Sequence, residues 1–196
     1  MEPILTLKNI SAYDPDGRTL VPPTDLTVLP GECVCVLAER PRFEALARII
    51  GNLMEPNGGE IAFSGTVGYM SPDSGFWEDM TVLDNTAIPL TIAGGSKRNC
   101  LDIALNMLEN LGIGYAAHTY PKSLGLCEQR LAALARALVT GPELLILADP
   151  ISMLNKKETE RFVNALSERW GKDRFAVLYC TCNGSQIIPA DKTIDL

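Results

Sequence analysis

Six cysteines are the residues of this chain that most readily suggest chemistry, because four of them stand in two Cys-x-Cys pairs. Cys33 and Cys35 form one pair, and Cys180 and Cys182 form the other, each within an apolar run typical of a strand. Alternate residues of a strand face the same side, so each pair presents two thiols together. This arrangement suits a soft metal or a redox site. Buried, reduced cysteines are the interpretation we favour, since cysteine is among the most buried residue types.

Two other reactive side chains stand alone. His118 is the only histidine of the chain. A single histidine builds no metal site, so a surface-loop position is favoured. Asp149 follows the apolar run Leu144–Leu147 and precedes Pro150. An acid between a strand and the start of a helix is sufficiently explained by helix capping.

The elements that would position these residues are clearest between residues 120 and 155. An amphipathic helix is predicted there, with Glu128, Gln129 and Arg130 on its polar face. Gly141 and Pro142 stop the helix. The next run predicts a strand covered on both faces of a mostly parallel sheet. Similar patterns predict strands at 4–10, 26–29, 33–37, 61–63, 67–70, 175–179 and 192–196, and helices at 45–53, 100–111 and 156–170. Asn155 is predicted to be the N-cap of the last helix.

The composition excludes several function classes. The 196 residues favour one domain with a sizeable core, and 46% hydrophobic with 21% charged residues is ordinary for a globular protein. Net charge is −7 and no basic cluster occurs, so nucleic acid is not an expected partner. No apolar run has the length of a membrane span and no signal peptide is recognisable. We therefore expect a cytoplasmic chain, which another subunit could tie to a membrane.

Five short segments in a fixed order carry a family resemblance: PGE before a strand, PNGGEI, TVLDN, ALARAL and GPELLIL. They resemble the ATP-binding subunit of ABC transporters, and the resemblance covers residues 4–196. The pattern at 73–90 looks most like the subfamilies for lipid or lipoprotein export and cell division. The resemblance implies an α/β, P-loop NTPase-like fold: a mostly parallel sheet flanked by helices, with an antiparallel β portion and a small helical subdomain. It implies one domain over residues 1–196, with the helical subdomain at about 73–140 inserted in the α/β core.

The resemblance places the phosphate-binding loop, G-x-x-x-x-G-K-[ST], at residues 37–45, LAERPRFEA. This loop has no glycine to turn backbone N–H groups toward phosphate, and Pro41 has no N–H. Phe43 stands at the lysine position, which removes a charge pair worth about 4 kcal/mol at intermediate dielectric. Glu44 stands at the Mg²⁺-holding hydroxyl, and Ala45 follows it. Tight binding of Mg-ATP in the usual pose is therefore not expected.

The other positions that the resemblance assigns to the nucleotide are altered as well. Tyr13 could stack on adenine or simply pack on the sheet. Pro72 stands at the metal-contacting glutamine, Gly125 at the signature serine, Ala148 and Asp149 at the two carboxylates of the strand end, and Cys182 at the switch histidine. One carboxylate remains where the chemistry needs two.

Three functions remain open on these residues. The first is a catalytically inactive ABC-type subunit that acts as a scaffold or regulator, with no cofactor. Its expected partner is a transmembrane transporter subunit on the cytoplasmic face of a membrane, with Phe76 and Trp77 as partner anchors or as a local cap. Pairing with an active ATPase subunit or a second copy stays open. The second is an active ATP-binding protein that holds ATP and Mg²⁺ through Arg40, Arg42 and Asp149. The third is a cysteine-rich metal or redox module.

Overall fold

The computed structural model describes residues 2–71, 73–181 and 189–196. These residues form strands β1 (Leu5–Tyr13), β2 (Thr19–Val28), β3 (Cys33–Leu37), β4 (Gly58–Phe63), β5 (Val67–Met70), β6 (Leu144–Leu147), β7 (Ala176–Thr181) and β8 (Lys192–Asp195). They also form helices α1 (Arg40–Ile50), α2 (Val82–Ile92), α3 (Lys97–Asn110), α4 (Leu126–Leu138) and α5 (Lys156–Asp173). No helix of the described ranges is long and apolar enough to cross a membrane.

The chain divides into two compact units. The first contains residues 1–67, 143–149 and 174–196, and the second contains 68–142 and 150–173. The second unit therefore includes α5 in addition to the segment that precedes residue 143. The helical subdomain placed at about 73–140 from the sequence stays a prediction.

The first unit holds two sheets. One is antiparallel, with strand order β2-β1-β4, and the other contains the parallel order β6-β7-β3-β8. Strands β3, β6 and β7 are almost wholly buried, as their continuous apolar sequences predict. Their register pairs Leu37 with Thr181 and Leu147 with Tyr179. The carboxyl ends of these strands therefore lie side by side, at the edge where α/β proteins bind ligands.

The second unit is built from helices α2 to α5. Its buried residues include Leu108 of α3, Leu131 and Leu134 of α4, and Phe162 of α5. Arg130 was placed on the polar face of α4, but it is only 5% exposed. The apolar stripe of α4 is therefore wider than the sequence pattern predicted, and the aliphatic stem of an arginine can be covered within it.

Helix α1 begins earlier than the sequence predicted. The expected helix at 45–53 assumed an open loop before it, whereas α1 starts at Arg40. Pro41 lies in the first turn, where its fixed φ favours a helix and its missing N–H costs nothing. A loop without glycine has no residue that prefers an open, left-handed conformation, so the helix extends into it.

Candidate functional site

The candidate site of the first unit lies at the carboxyl ends of β3, β6 and β7. Ala38 and Glu39 alone connect β3 to α1. The main chain of Ala38 is tied to β7, since its N–H donates to the carbonyl of Thr181 at 3.4 Å and its carbonyl accepts from the thiol of Cys180 at 3.5 Å. This short, anchored connection leaves no room for a loop that wraps around a phosphate group.

The first turn of α1 uses its own N–H groups internally. The amides of Arg42 and Phe43 both donate to the carbonyl of Glu39, at 3.1 and 3.2 Å. Glu39 is exposed and forms no side-chain cap of the helix. A phosphate site at a helix N-terminus needs N–H groups directed at the ligand and no negative charge nearby. Neither condition is met at this turn.

The residue at the lysine position belongs to the core. Phe43 is 0% exposed and is part of the main buried cluster of the first unit. Ala45, two residues later, is 5% exposed and has no hydroxyl for a metal. The cluster also contains Val36, Ala38, Leu46, Ile146, Ala148 and Leu178. Phe43 therefore contributes to packing and presents nothing to a ligand.

Arg40 and Arg42, the two arginines that could replace the missing lysine charge, differ in exposure and contacts. Nε of Arg40 lies 2.8 Å from Oε1 of Glu44, one helical turn later. Arg42 is half-buried. Glu44, which stands at the predicted metal position, thus neutralises a cation that the nucleotide would need. The pair is exposed, so it adds little to stability, but it cancels charge locally.

Of the two positions at the strand end where carboxylates were expected, only Asp149 carries one, and a single carboxylate does not make the metal site that the chemistry needs. Ala148 is 1% exposed and packs in the core. Asp149 is half-buried and has a left-handed backbone, with φ of 49°. The capping role expected for Asp149 is wrong, because α5 begins at Lys156. Asn155 caps that helix, as predicted: its side chain accepts from the Glu158 amide at 3.0 Å, and Glu158 accepts from the Asn155 amide at 2.9 Å.

Three further nucleotide positions remain predictions. Tyr13 is 42% exposed at the end of β1, and its amide donates to Oδ1 of Asn57 at 2.9 Å. This leaves stacking on adenine and packing on the sheet both open. Pro72 and Cys182 lie outside the described residues.

The first cysteine pair is buried. Burial, followed by the neighbouring Asp191, Cys35 and Glu32, raises the pKa of Cys33 to about 12. Burial also raises the pKa of Cys35, against a hydrogen bond from Tyr179 that lowers it. Metal binding and redox chemistry need the thiolate. Within residues 2–71, 73–181 and 189–196, no group of three His, Cys, Asp or Glu side chains could hold a metal ion.

The second unit carries the signature position. Gly125 precedes α4, and its amide donates to Oε2 of Glu128 at 2.9 Å. The hydroxyl of Tyr115 also donates to this carboxylate, and the two bonds lower the pKa of Glu128, the Tyr115 bond more than the Gly125 bond. Sequence reasoning missed this role, although a carboxylate three residues after a helix cap is a recognisable signal. The helix N-terminus is thus already satisfied by an internal anion.

The side chain of Cys127, in the predicted signature loop, is also buried. Cys127 is 4% exposed, and its thiol donates to the carbonyl of Glu158 on α5 at 3.6 Å. Burial raises its pKa, with Glu158 and Glu128 adding to the effect of burial and Arg161 opposing it. A small residue at this position would leave the helix end open, whereas the cysteine closes it against α5.

The predicted partner anchors differ in exposure. Phe76 is half-buried, and the guanidinium of Arg136 lies 4.9 Å above its ring centre. Trp77 is 63% exposed. Asn85, which is fully buried on α2, accepts from the amide of Trp77 at 2.8 Å and donates to its carbonyl at 3.0 Å. Sequence reasoning missed the roles of Arg136 and Asn85, because their contacts with this loop leave no local sequence pattern.

These residues do not fit Mg-ATP in the family's usual pose. At the positions that the resemblance assigns to the phosphate loop, the lysine and the first strand-end acid, the chain has a helical turn, a core phenylalanine and a buried alanine. A triphosphate carries several negative charges and is held by cations and N–H donors together. At this edge, Glu39 and Glu44 add negative charge instead.

The family model described as ABC transporter matches residues 45–152. Similar curated proteins include the lipoprotein-releasing system ATP-binding protein LolD of Hyphomonas neptunium, 29% identical over 217 residues, with 100% of this chain and 95% of the relative covered. The LolD protein of Rickettsia bellii is 25% identical over 209 residues, covering 98% and 95%. The formylaminopyrimidine import ATP-binding protein ThiZ of Halalkalibacterium halodurans is 27% identical over 181 residues, covering 91% and 73%.

Solved structures show the same fold. A bacterial ABC transporter cassette solved as a dimer has a TM-score of 0.81 at 21% identity, with 91% of this chain and 88% of that chain covered. CbiO1 of Clostridium perfringens, part of an ABC transporter complex, has a TM-score of 0.78 at 17% identity, covering 92% and 79%. The expected α/β fold class is therefore confirmed. This chain belongs to the ABC transporter family, and its fold is that of the ATP-binding cassette.

Proposed function

We propose that this chain is a catalytically inactive ABC-type subunit that acts as a scaffold or regulator of a membrane transport complex. It docks on a transmembrane subunit at the cytoplasmic face of the membrane. It pairs there with an active ATPase subunit or with a second copy of itself. No ATP or Mg²⁺ is needed for this role.

One observation carries the inactivity: the side chain at the lysine position, Phe43, is wholly buried, and α1 starts three residues before it. A drifted enzyme would be expected to keep the loop and lose one contact. In this chain the loop backbone itself has become helix, so no single side chain can restore the phosphate cradle. The helix N-terminus and the first acid of the strand end are altered independently of it.

The docking role is supported by apolar surface in the second unit. Trp77 is largely exposed on a loop whose backbone is held by a buried asparagine. A groove of about 280 Å³ runs beside α2 and α3, lined by Ala87, Ile88, Ile92 and Leu101, with Asp84 and Lys97 among its polar residues. Ile92 is 82% exposed. Apolar surface of this kind, bordered by charges, is typical of protein–protein contact sites.

The relatives suggest the class of transported substance. Several carry the name of a lipoprotein-releasing system. We infer that the complex of this chain moves a lipid or a lipid-modified protein, as the segment at 73–90 also suggested. The alternative is import of a small molecule, since the relative ThiZ is named for import of a formylaminopyrimidine.

Binding of labelled ATP to the purified chain, with and without Mg²⁺, tests the proposal. An active ABC cassette serves as the positive control in the same assay. We expect neither micromolar binding nor turnover from this chain. Micromolar binding with measurable hydrolysis would favour the second function, an ATPase that uses Arg40, Arg42 and Asp149. Metal analysis of the same preparation addresses the third function, and stoichiometric zinc or iron would support it.

A further inference from the structure

The loop before Trp77 has an unusual backbone. Ser74 and Gly75 are consecutive residues in the left-handed region, with φ of 57° and 54°. Ser74 is also buried, at 4% exposure. A side chain at positive φ is strained, and such a conformation persists only where the surroundings hold it in place. The question is which group holds this loop.

Arg136 of α4 meets the loop with its whole guanidinium. One terminal nitrogen, Nη1, donates to the carbonyl of Gly75 at 2.9 Å, and the other, Nη2, donates to the carbonyl of Ser74. The planar group then stacks over the ring of Phe76. Arg136 is half-buried, and this burial lowers the pKa of its guanidinium. A planar fork that both donates twice and stacks is a property of arginine and not of lysine.

The other side of the loop is held separately. Asn85 bonds both the amide and the carbonyl of Trp77, and it also donates to the carbonyls of Met80 and Thr81, at 3.2 and 3.0 Å. The loop backbone is thus fixed before and after Trp77, while the indole itself remains mostly in solvent. Rigid support under an exposed aromatic lowers the entropy lost when a partner covers it.

We propose that Arg136 is the positioning residue of the docking loop, with Phe76 as its internal support and Trp77 as the single anchor for the partner. This inference rests on the proposed docking function. Glu78 and Asp79 follow Trp77 directly and are both exposed. The partner surface accordingly presents an apolar side chain to Trp77 with lysine or arginine beside it, because opposite charges at the rim guide association.

Two labelled synthetic helices with the same leucine face test this inference, one carrying lysine and the other glutamate on its polar positions. Binding is followed by anisotropy of the label. Trp170→Phe in all variants leaves Trp77 as the sole tryptophan, so its emission and quenching report the loop conformation. We expect the lysine helix to bind, and Arg136→Lys and Phe76→Leu each to weaken it about tenfold, the scale of a disturbed hot spot. Arg48→Ala, a change at an exposed arginine of α1, serves as the control.

The variants separate two failures. Unchanged binding by Arg136→Lys and Phe76→Leu, with altered Trp77 emission, would overturn the role of Arg136 while leaving docking intact. Unchanged binding of the lysine helix by Trp77→Ala would refute the proposal that this loop is a docking surface. Equal binding of the lysine and glutamate helices would refute the inference that the partner is positively charged. Arg136→Ala removes the whole guanidinium and is the stronger change. If that variant fails to fold, Arg136→Lys and Phe76→Leu test whether Arg136 positions the loop.

Discussion

The Arg40 guanidinium and the Glu44 carboxylate form an ion pair across the first turn of α1, with 2.8 Å between Nε and Oε1. In a cassette that binds ATP, this turn would direct positive charge at phosphate. In this chain its cation is paired with an acid of the same turn. An arginine in this segment therefore does not by itself imply an anion-binding site, because its charge is already paired with a carboxylate.

Glu44→Gln tests whether that pair alone keeps nucleotide away. We expect Mg-ATP binding to remain undetectable. The amides of Arg42 and Phe43 still donate to the carbonyl of Glu39, and Phe43 still stands at the predicted lysine position. The free energy of unfolding should fall by no more than about 0.5 kcal/mol, as for exposed pairs one helical turn apart. Glu168→Gln, which breaks the exposed pair with Lys172, is the matched control. Micromolar ATP binding by Glu44→Gln would contradict the expectation.

Phe43→Lys should destabilise the chain without creating an ATPase. The lysine side chain would enter a fully buried position, and loss of a buried phenyl group costs about 3–5 kcal/mol. Denaturant unfolding measures this loss, and a phosphate-release assay measures turnover. Phe43→Leu, which keeps an apolar side chain, should lose less than half as much. A stable Phe43→Lys protein with measurable hydrolysis would mean that the loop can reopen.

Glu143 gives the first unit a pH-dependent contribution to stability. Its Oε2 accepts from the amide and the hydroxyl of Thr66, at 2.6 and 2.8 Å, and these bonds lower the pKa of the carboxyl below its ordinary 4.5. A lowered carboxyl pKa stabilises the fold above the ordinary value, and the contribution is lost as pH falls through the folded-state value. The stability difference between the native chain and Glu143→Gln should therefore shrink as pH falls below 4.5.

Chemical unfolding of both proteins between pH 3 and pH 7 measures that difference, which we expect to be about 1 kcal/mol at pH 7. Glu55→Gln, at an exposed acid of the same unit, should show no such trend. A difference that stays constant down to pH 3 would show that Glu143 acts through packing and not through its charge.

Tyr115→Phe should raise the pKa of Glu128. The hydroxyl is the largest cause of the lowered value, ahead of the Gly125 amide, so its removal destabilises the carboxylate. Carboxyl-carbon NMR shifts followed over pH report the pKa directly. Tyr120→Phe, at an exposed tyrosine of the same unit, is the control and should leave Glu128 unchanged. An unchanged Glu128 in Tyr115→Phe would assign the shift to the helix N-terminus alone.

Sequence patterns predicted the elements whose signals are local. The buried strand Leu144–Leu147 and the Asn155 cap were predicted correctly, because an apolar run and a capping residue carry their own evidence. The start of α1 was missed by five residues, since the prediction carried over an open loop from the family. The buried position of Arg130 was missed because charge alone was taken as a sign of exposure.

The amino-acid sequence by itself determined the family and the α/β fold, and it predicted the loss of the nucleotide-binding residue types, because these depend on the order and spacing of residue types along the chain. Only the tertiary structure decided that Phe43 packs in the core and that Arg136 supports the loop of Trp77. Such relationships depend on which side chains meet after folding, and residues 60 positions apart leave no local pattern for a contact that geometry and burial create.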